Sequence, residues 1–153
     1  MSSFYGRVLA DIHDSDFAFV ARAAAATAMS LLPPPAQSGI IVDFGCGSGV
    51  TAEILDEAGY SVVGIDASPD MIAIARGRVP DGDFITSSIY EADIPDCQAV
   101  LAIGEVFNYS SDERTDASLA ALLRKHALPL RTDGFLLCHV AGPRRATATP
   151  AAQ

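Results

Sequence analysis

Residues 40–49 constrain this chain more than any other stretch. Ile40-Ile41-Val42-Asp43-Phe44 is a short apolar run that empties directly into Gly45-Cys46-Gly47-Ser48-Gly49. A run of this length, bounded by glycines, reads as a buried strand. Val50, Ile54, Leu55 and Ala58 then recur on one face of a helix, which Gly59 ends. Strand, glycine turn and helix in immediate succession open a parallel α/β unit. The glycines allow a sharp turn, and they remove side chains where a ligand would sit against the backbone at a helix start. In open parallel sheets that place is the carboxyl end of the first strand, where the strand order reverses and ligands bind.

The pattern then repeats. Tyr60 to Ile65 is predicted as a second strand. Ser68-Pro69 begins a second helix, with serine as the cap and proline in the first turn. Phe84-Ile85-Thr86 and Ala99 to Ile103 are expected as the third and fourth strands. A helix near Ala117 to Ala127 carries an apolar stripe of Leu119, Leu122, Leu123, His126, Ala127 and Leu130. Asp133-Gly134 is expected to turn the chain into a fifth strand, Phe135 to Ala141. Strands alternating with helices give a Rossmann-like open parallel sheet with helices on both faces. Ahead of it, Phe17, Val20, Ala21 and Ala24 mark a helix reaching about Leu32. Ser15 or Asp16 could cap that helix, and Pro33-Pro34-Pro35 stops it. The expected organisation is one domain over 1–153, with a helical cap over 1–35 and a core over 39–141. Residues 142–153 have no hydrophobic period and read as a disordered tail.

Half the residues are hydrophobic, enough for a sizeable core, and no apolar run is long enough to span a bilayer. No basic-then-apolar leader opens the chain, so a cytoplasmic protein with no membrane partner is expected. The net charge of −9 argues against a nucleic-acid partner, because the only basic clusters are Arg124-Lys125 and Arg144-Arg145. Cys46, Cys97 and Cys138 lack any Cys-x-x-Cys spacing, so neither a disulfide framework nor a metal site is expected.

A glycine loop alone does not specify its ligand. The dinucleotide fingerprint would place its last glycine at position 50, which is Val50, and no Gly-Lys-Ser or Gly-Lys-Thr follows to make a triphosphate loop. The second acidic signal is Asp66, at the end of the second strand, where a carboxylate can bond both ribose hydroxyls. Val42 to Gly49, Val63-Gly64-Ile65-Asp66 and Ser68-Pro69-Asp70-Met71 together resemble consecutive motifs of class I S-adenosylmethionine-dependent methyltransferases. Gly104-Glu105-Val106-Phe107-Asn108-Tyr109 is similar to their fourth-strand segment.

The resemblance implies a strand order of 3-2-1-4-5 and S-adenosylmethionine as cofactor. It implies that Gly45, Cys46, Gly47, Gly49 and Gly104 lie against the methionine part. Asp43 would organise the loop and face the ammonium end, or serve only to stabilise the turn. Asp66 would hold the ribose, Ala67 and Met71 would flank the adenine, and Ser88 and Ile89 would touch its edge. Cys46 is expected as a small loop residue, not a nucleophile.

Methyl transfer needs positioning more than catalytic groups, and a base only where the acceptor must lose a proton. Glu105, Tyr109 and His13 are the candidates, each with a bland alternative: a backbone contact, a core ring, a surface histidine. His126 and His139 read as packing residues. Tyr5, His13 and Asp14 lie in the segment that covers the site in similar small methyltransferases. Asn108-Tyr109 departs from the Asn-Pro-Pro-Tyr motif of enzymes acting on amino groups of bases or glutamine. A small-molecule acceptor is therefore expected.

The family usually adds a further antiparallel strand pair, and the 12 residues after Ala141 are too few to supply it. Gln98 and His139 also stand where close relatives would have acids. A cofactor-binding module without turnover is the alternative function, and another nucleotide-binding Rossmann protein the remote one. A fifth strand without a neighbour would offer an apolar edge for self-association.

Overall fold

A computed structural model describes residues 7–104, 106, 121–122, 124–125 and 129–139, with the backbone alone for 7–16. The sheet consists of β1 (Ile40–Phe44), β2 (Val62–Asp66), β3 (Asp83–Thr86), β4 (Cys97–Ala102) and β5 (Leu130–Cys138). The strand order is β3-β2-β1-β4-β5, and every pairing is parallel. The expected order and architecture are thus observed. Three α-helices have both ends described: α1 (Arg7–Leu31), α2 (Val50–Glu57) and α3 (Pro69–Arg78).

The two faces of the sheet follow from strand alternation. Ile41, Ala99 and Leu101 point to the side where Ala25 and Ala28 of α1, Leu32 just after it and Leu55 of α2 pack. Alanines on the inner side of α1 let its backbone lie close to α2. Cys46, Ala52, Ile72, Ala75, Val79 and Phe84 continue this layer under α3. Val42, Phe44, Val63, Ile65, Val100 and Ala102 point to the other side, where Ile89, Ala92 and Leu122 cover them. Ala121, Leu122, Arg124 and Lys125 are helical, which places helix on that face as well. β4 is buried along its whole length, as a central parallel strand must be.

Local chemistry sets the helix ends. Ser68 caps α3, its Oγ accepting from Met71 N–H at 3.3 Å, and Pro69 occupies the first turn. After α2, Gly59 takes φ +91°; its N–H donates to Asp56 O and that of Tyr60 to Leu55 O, which is a Schellman closure.

Two expectations are corrected. α1 does not start at a cap on Ser15 or Asp16, because both lie inside a helix that begins at Arg7. Their preference for caps is local, and Arg7, Leu9 and Ala10 favour continuation. His13 and Asp14 are therefore helical, not part of a loop before the helix. Second, Asp133-Gly134 does not precede the fifth strand but lies within it. Cys97 pairs with Leu130 and Ala99 with Phe135, so β5 carries extra residues in a bulge. Gln98 fills that bulge, its Nε2 donating to Asp133 O at 3.2 Å. The second correction concerns how the chain packs on a neighbouring strand, which local propensity does not encode.

Among the described residues no helix is long and apolar enough to cross a membrane.

Candidate functional site

The loop Gly45–Gly49 leaves β1 at the point where the strand order reverses. Gly45, Gly47 and Gly49 have φ of +64°, +54° and +83°, so all three sit in left-handed backbone. Space adds a second requirement at two of them. A Cβ on Gly45 would lie 2.5 Å from Val106 Cγ2, and one on Gly49 would lie 3.0 Å from Ala75 Cβ and 3.1 Å from its Cα. Gly45 thus lets the loop after β1 touch the segment after β4, and Gly49 lets α2 start against α3. Gly47 differs: a Cβ there would meet nothing within 4 Å among the described residues. Open space above a left-handed glycine is a seat for a ligand against the backbone.

Asp66 ties this loop to the next helix. Its Oδ2 accepts from Gly47 N–H at 2.9 Å and its Oδ1 from Ser68 N–H at 2.8 Å. Gly45 N–H and Cys46 N–H both donate to Ile65 O, at 2.7 and 3.1 Å. Each carboxylate oxygen has more than one acceptor site, so Asp66 keeps capacity for ligand hydroxyls while it holds the backbone.

Asp43 lies beneath the loop and is 2% exposed. Its Oδ2 is buried with no hydrogen-bond partner among the described residues. Burial, and secondly the nearby Asp66 carboxylate, push its pKa up from 3.8 to about 7. An orphaned acidic oxygen under an open glycine seat fits a ligand that carries positive charge.

The other expected residues separate. Gly104, with φ +82°, follows β4 and borders the same crevice. Ala67 is exposed and Met71 is buried at the start of α3. Ser88 Oγ accepts from Tyr90 N–H at 3.2 Å and Ser88 is half-buried, whereas Ile89 packs in the core beneath the sheet. Cys46 turns its side chain into the α3 layer, and burial raises its thiol pKa. Gly64 is absent of side chain because Phe84 and Cys46 Sγ occupy that volume. His139 is exposed, and its N–H donates to Ala102 O at 2.9 Å. Tyr5, Glu105, Tyr109 and His126 lie outside the described residues. Among those described, no group of three or more His, Cys, Asp and Glu is placed to hold a metal ion.

Two contacts near the site were not legible in the sequence. Phe17 of α1 reaches the mouth of β4, with its Cδ1 3.9 Å from where a Gly104 Cβ would stand. Arg78, in the last turn of α3, donates from Nε to Ser48 O at 3.0 Å and from Nη1 to Glu53 Oε2 at 3.1 Å. No spacing rule links positions so far apart in the chain.

The profile of the family described as "Methyltransferase domain" matches residues 41–127, more than half of the chain. Among curated proteins, trans-aconitate 2-methyltransferase of Rhodopseudomonas palustris is 36% identical over 81 residues, 52% of this chain and 32% of its own length. The 18S rRNA (guanine-N(7))-methyltransferase of Mus musculus is 40% identical over 52 residues, 34% of this chain and 18% of its own. The chain thus spans about a third or less of these two relatives. Among solved structures, CalS10, an amino pentose methyltransferase from Micromonospora echinaspora, superposes with a TM-score of 0.73 at 21% identity. That match covers 93% of this chain and 59% of the other.

Proposed function

This chain belongs to the methyltransferase domain family, and on that premise we propose that its crevice holds S-adenosylmethionine and that the protein methylates a small-molecule acceptor. One observation carries the reading. The glycine loop and Asp66 meet at adjacent strand ends, with Gly47 N–H donating to Asp66 Oδ2 at 2.9 Å, over an Asp43 oxygen that has no partner among the described residues. S-adenosylmethionine, when bound, supplies an activated methyl group on a cationic sulfur. The chain's own residues bind and orient. Asp43 and the glycines at 45, 47, 49 and 104 hold the methionine part, with Asp43 ionised against the ammonium. Asp66 accepts from the ribose hydroxyls. Ala67, Met71 and Ser88, with the backbone at Ile89, frame the adenine. Phe17 of α1 lies beside Gly104 at the mouth of β4. Glu105, Tyr109 and His13 are the candidate bases for an acceptor that must lose a proton.

Charge supports a small acceptor. A net charge of −9 repels a polyphosphate backbone. The second reading, an RNA acceptor, draws on the 52-residue likeness to an rRNA methyltransferase. Calorimetric titration with S-adenosylhomocysteine and with NAD tests the cofactor: binding of NAD alone would overturn it. Methyl transfer from labelled cofactor to small-molecule pools, with RNA as the competing arm, tests the acceptor class.

A further inference from the structure

We propose that Arg78 is a positioning residue for the cofactor loop, a role that rests on the S-adenosylmethionine reading above. The loop presents donors to its ligand only if its carbonyls are held away from it. Cys46 O accepts from Gly49 N–H at 3.0 Å, and Gly49 O accepts from Glu53 N–H at 2.9 Å. Ser48 O is held from another element. It accepts from Arg78 Nε at 3.0 Å, across 30 positions of chain. Ser48 is buried, so this carbonyl has little recourse to water.

The Ser48–Gly49 peptide is therefore fixed at both ends, its N–H by Cys46 and its carbonyl by Arg78. This peptide leads into the N-cap of α2, Gly49. Its plane sets the direction of the first turn of α2, where unpaired N–H groups are available to a ligand. Asp66 and Ile65 anchor the first half of the loop to β2. Arg78 anchors the second half to α3. Glu53, in the first turn of α2, holds the other arm of the guanidinium at 3.1 Å. A planar fork can satisfy both acceptors together, whereas an ammonium is a single point of charge.

The alternative is that Arg78 only complements the end of the α3 dipole, as Arg76 in the same turn can. Affinity separates the two. The whole chain and its Arg78→Ala, Arg78→Lys, Glu53→Gln and Tyr60→Phe variants are titrated with S-adenosylhomocysteine. Amide hydrogen exchange is followed without ligand. Tyr60→Phe removes a hydroxyl bond to Pro33 O, away from the loop, and serves as the stability control. Arg78→Ala is expected to weaken binding about tenfold, as loss of a charge-assisted bond can. Arg78→Lys should recover part of that loss, and Tyr60→Phe should bind as the parent does. Exchange at Gly49 to Glu53 should quicken in Arg78→Ala and stay unchanged in β1 and β4. Affinity within twofold of the parent, or unchanged loop exchange, overturns the proposal. A parent chain that does not bind S-adenosylhomocysteine overturns the cofactor reading instead, and the exchange arm still decides whether Arg78 holds the loop.

Discussion

Asp43 carries a carboxyl group that the free protein has reason to keep protonated. Its pKa rises from 3.8 to about 7, through burial first and Asp66 second. The sign of the pH effect follows. Between about pH 4 and pH 7 the native state holds a proton that the unfolded chain has lost, so stability falls as pH rises through that window. Asp43→Asn should remove this slope and stabilise the free protein at pH 8, by an amount on the order of a few kcal/mol. Denaturation midpoints at pH 5, 6.5 and 8 measure it, and parallel slopes in the two proteins would contradict it. A cation beside Asp43 favours the ionised form, so cofactor affinity should rise from about pH 6 to about pH 7.5. Two glycines of the same loop separate binding from folding. Gly47→Ala places a methyl group where no described residue lies within 4 Å, so its folding cost is that of the left-handed backbone, roughly 1–2 kcal/mol. Its larger effect should be on S-adenosylhomocysteine binding. Gly49→Ala meets Ala75, including its backbone, and should destabilise the fold more. Thermal melts and titrations of both variants decide; equal losses of affinity and stability in the two would defeat the distinction.

The elements owe their ends to residues that act locally, and their register to residues that do not. Ser68 and Gly59 are legible because a cap and a left-handed stop act within a turn. The bulge in β5 is different. Gly134 sits where a Cβ would lie 2.9 Å from both Arg131 O and Gln98 O. Backbone atoms cannot give way cheaply, so Gly134→Ala should cost about 1–3 kcal/mol, as overpacking does. Urea unfolding reads the change, and a loss below about 0.5 kcal/mol, the usual range for exposed surface sites, would show that the bulge is soft. In sequence Asp133-Gly134 looks like a turn before a strand. In the fold the same dipeptide lets one strand absorb extra residues around Gln98.

At the scale of the molecule, β5 borders only β4 among the described residues. His139 N–H donates inward to Ala102 O, and Cys138 is the residue paired opposite Ala102, so the Cys138 N–H and carbonyl point away from the sheet. Leu136 is 38% exposed beside it. An apolar strand with outward backbone groups is a template for another chain. The expected outcome is a mass that grows with concentration in light scattering under reducing conditions. Cys138→Pro removes an outward donor without touching the bond to β4, and should shift the protein toward monomer. A monomer at every concentration would refute the edge.

The strand order was implied by the family resemblance, whereas the sequence by itself determined the alternation of strand and helix, the nature of the first helix turns and the acidic residues at two strand ends. These follow from periodicity, caps and a glycine loop, each of which acts over a few residues. Asp43, Gly45, Gly47, Gly49 and Asp66 were legible because side-chain absence and charge at a strand end have one strong physical use. The tertiary structure alone decided what those residues touch. It gave Asp66 a second task in holding Gly47 and Ser68, and it turned Cys46 inward against Gly64. It brought Phe17 to Gly104 and set Arg78 on Ser48. Each of these depends on the spacing between elements far apart in the chain, which packing fixes and no local pattern records.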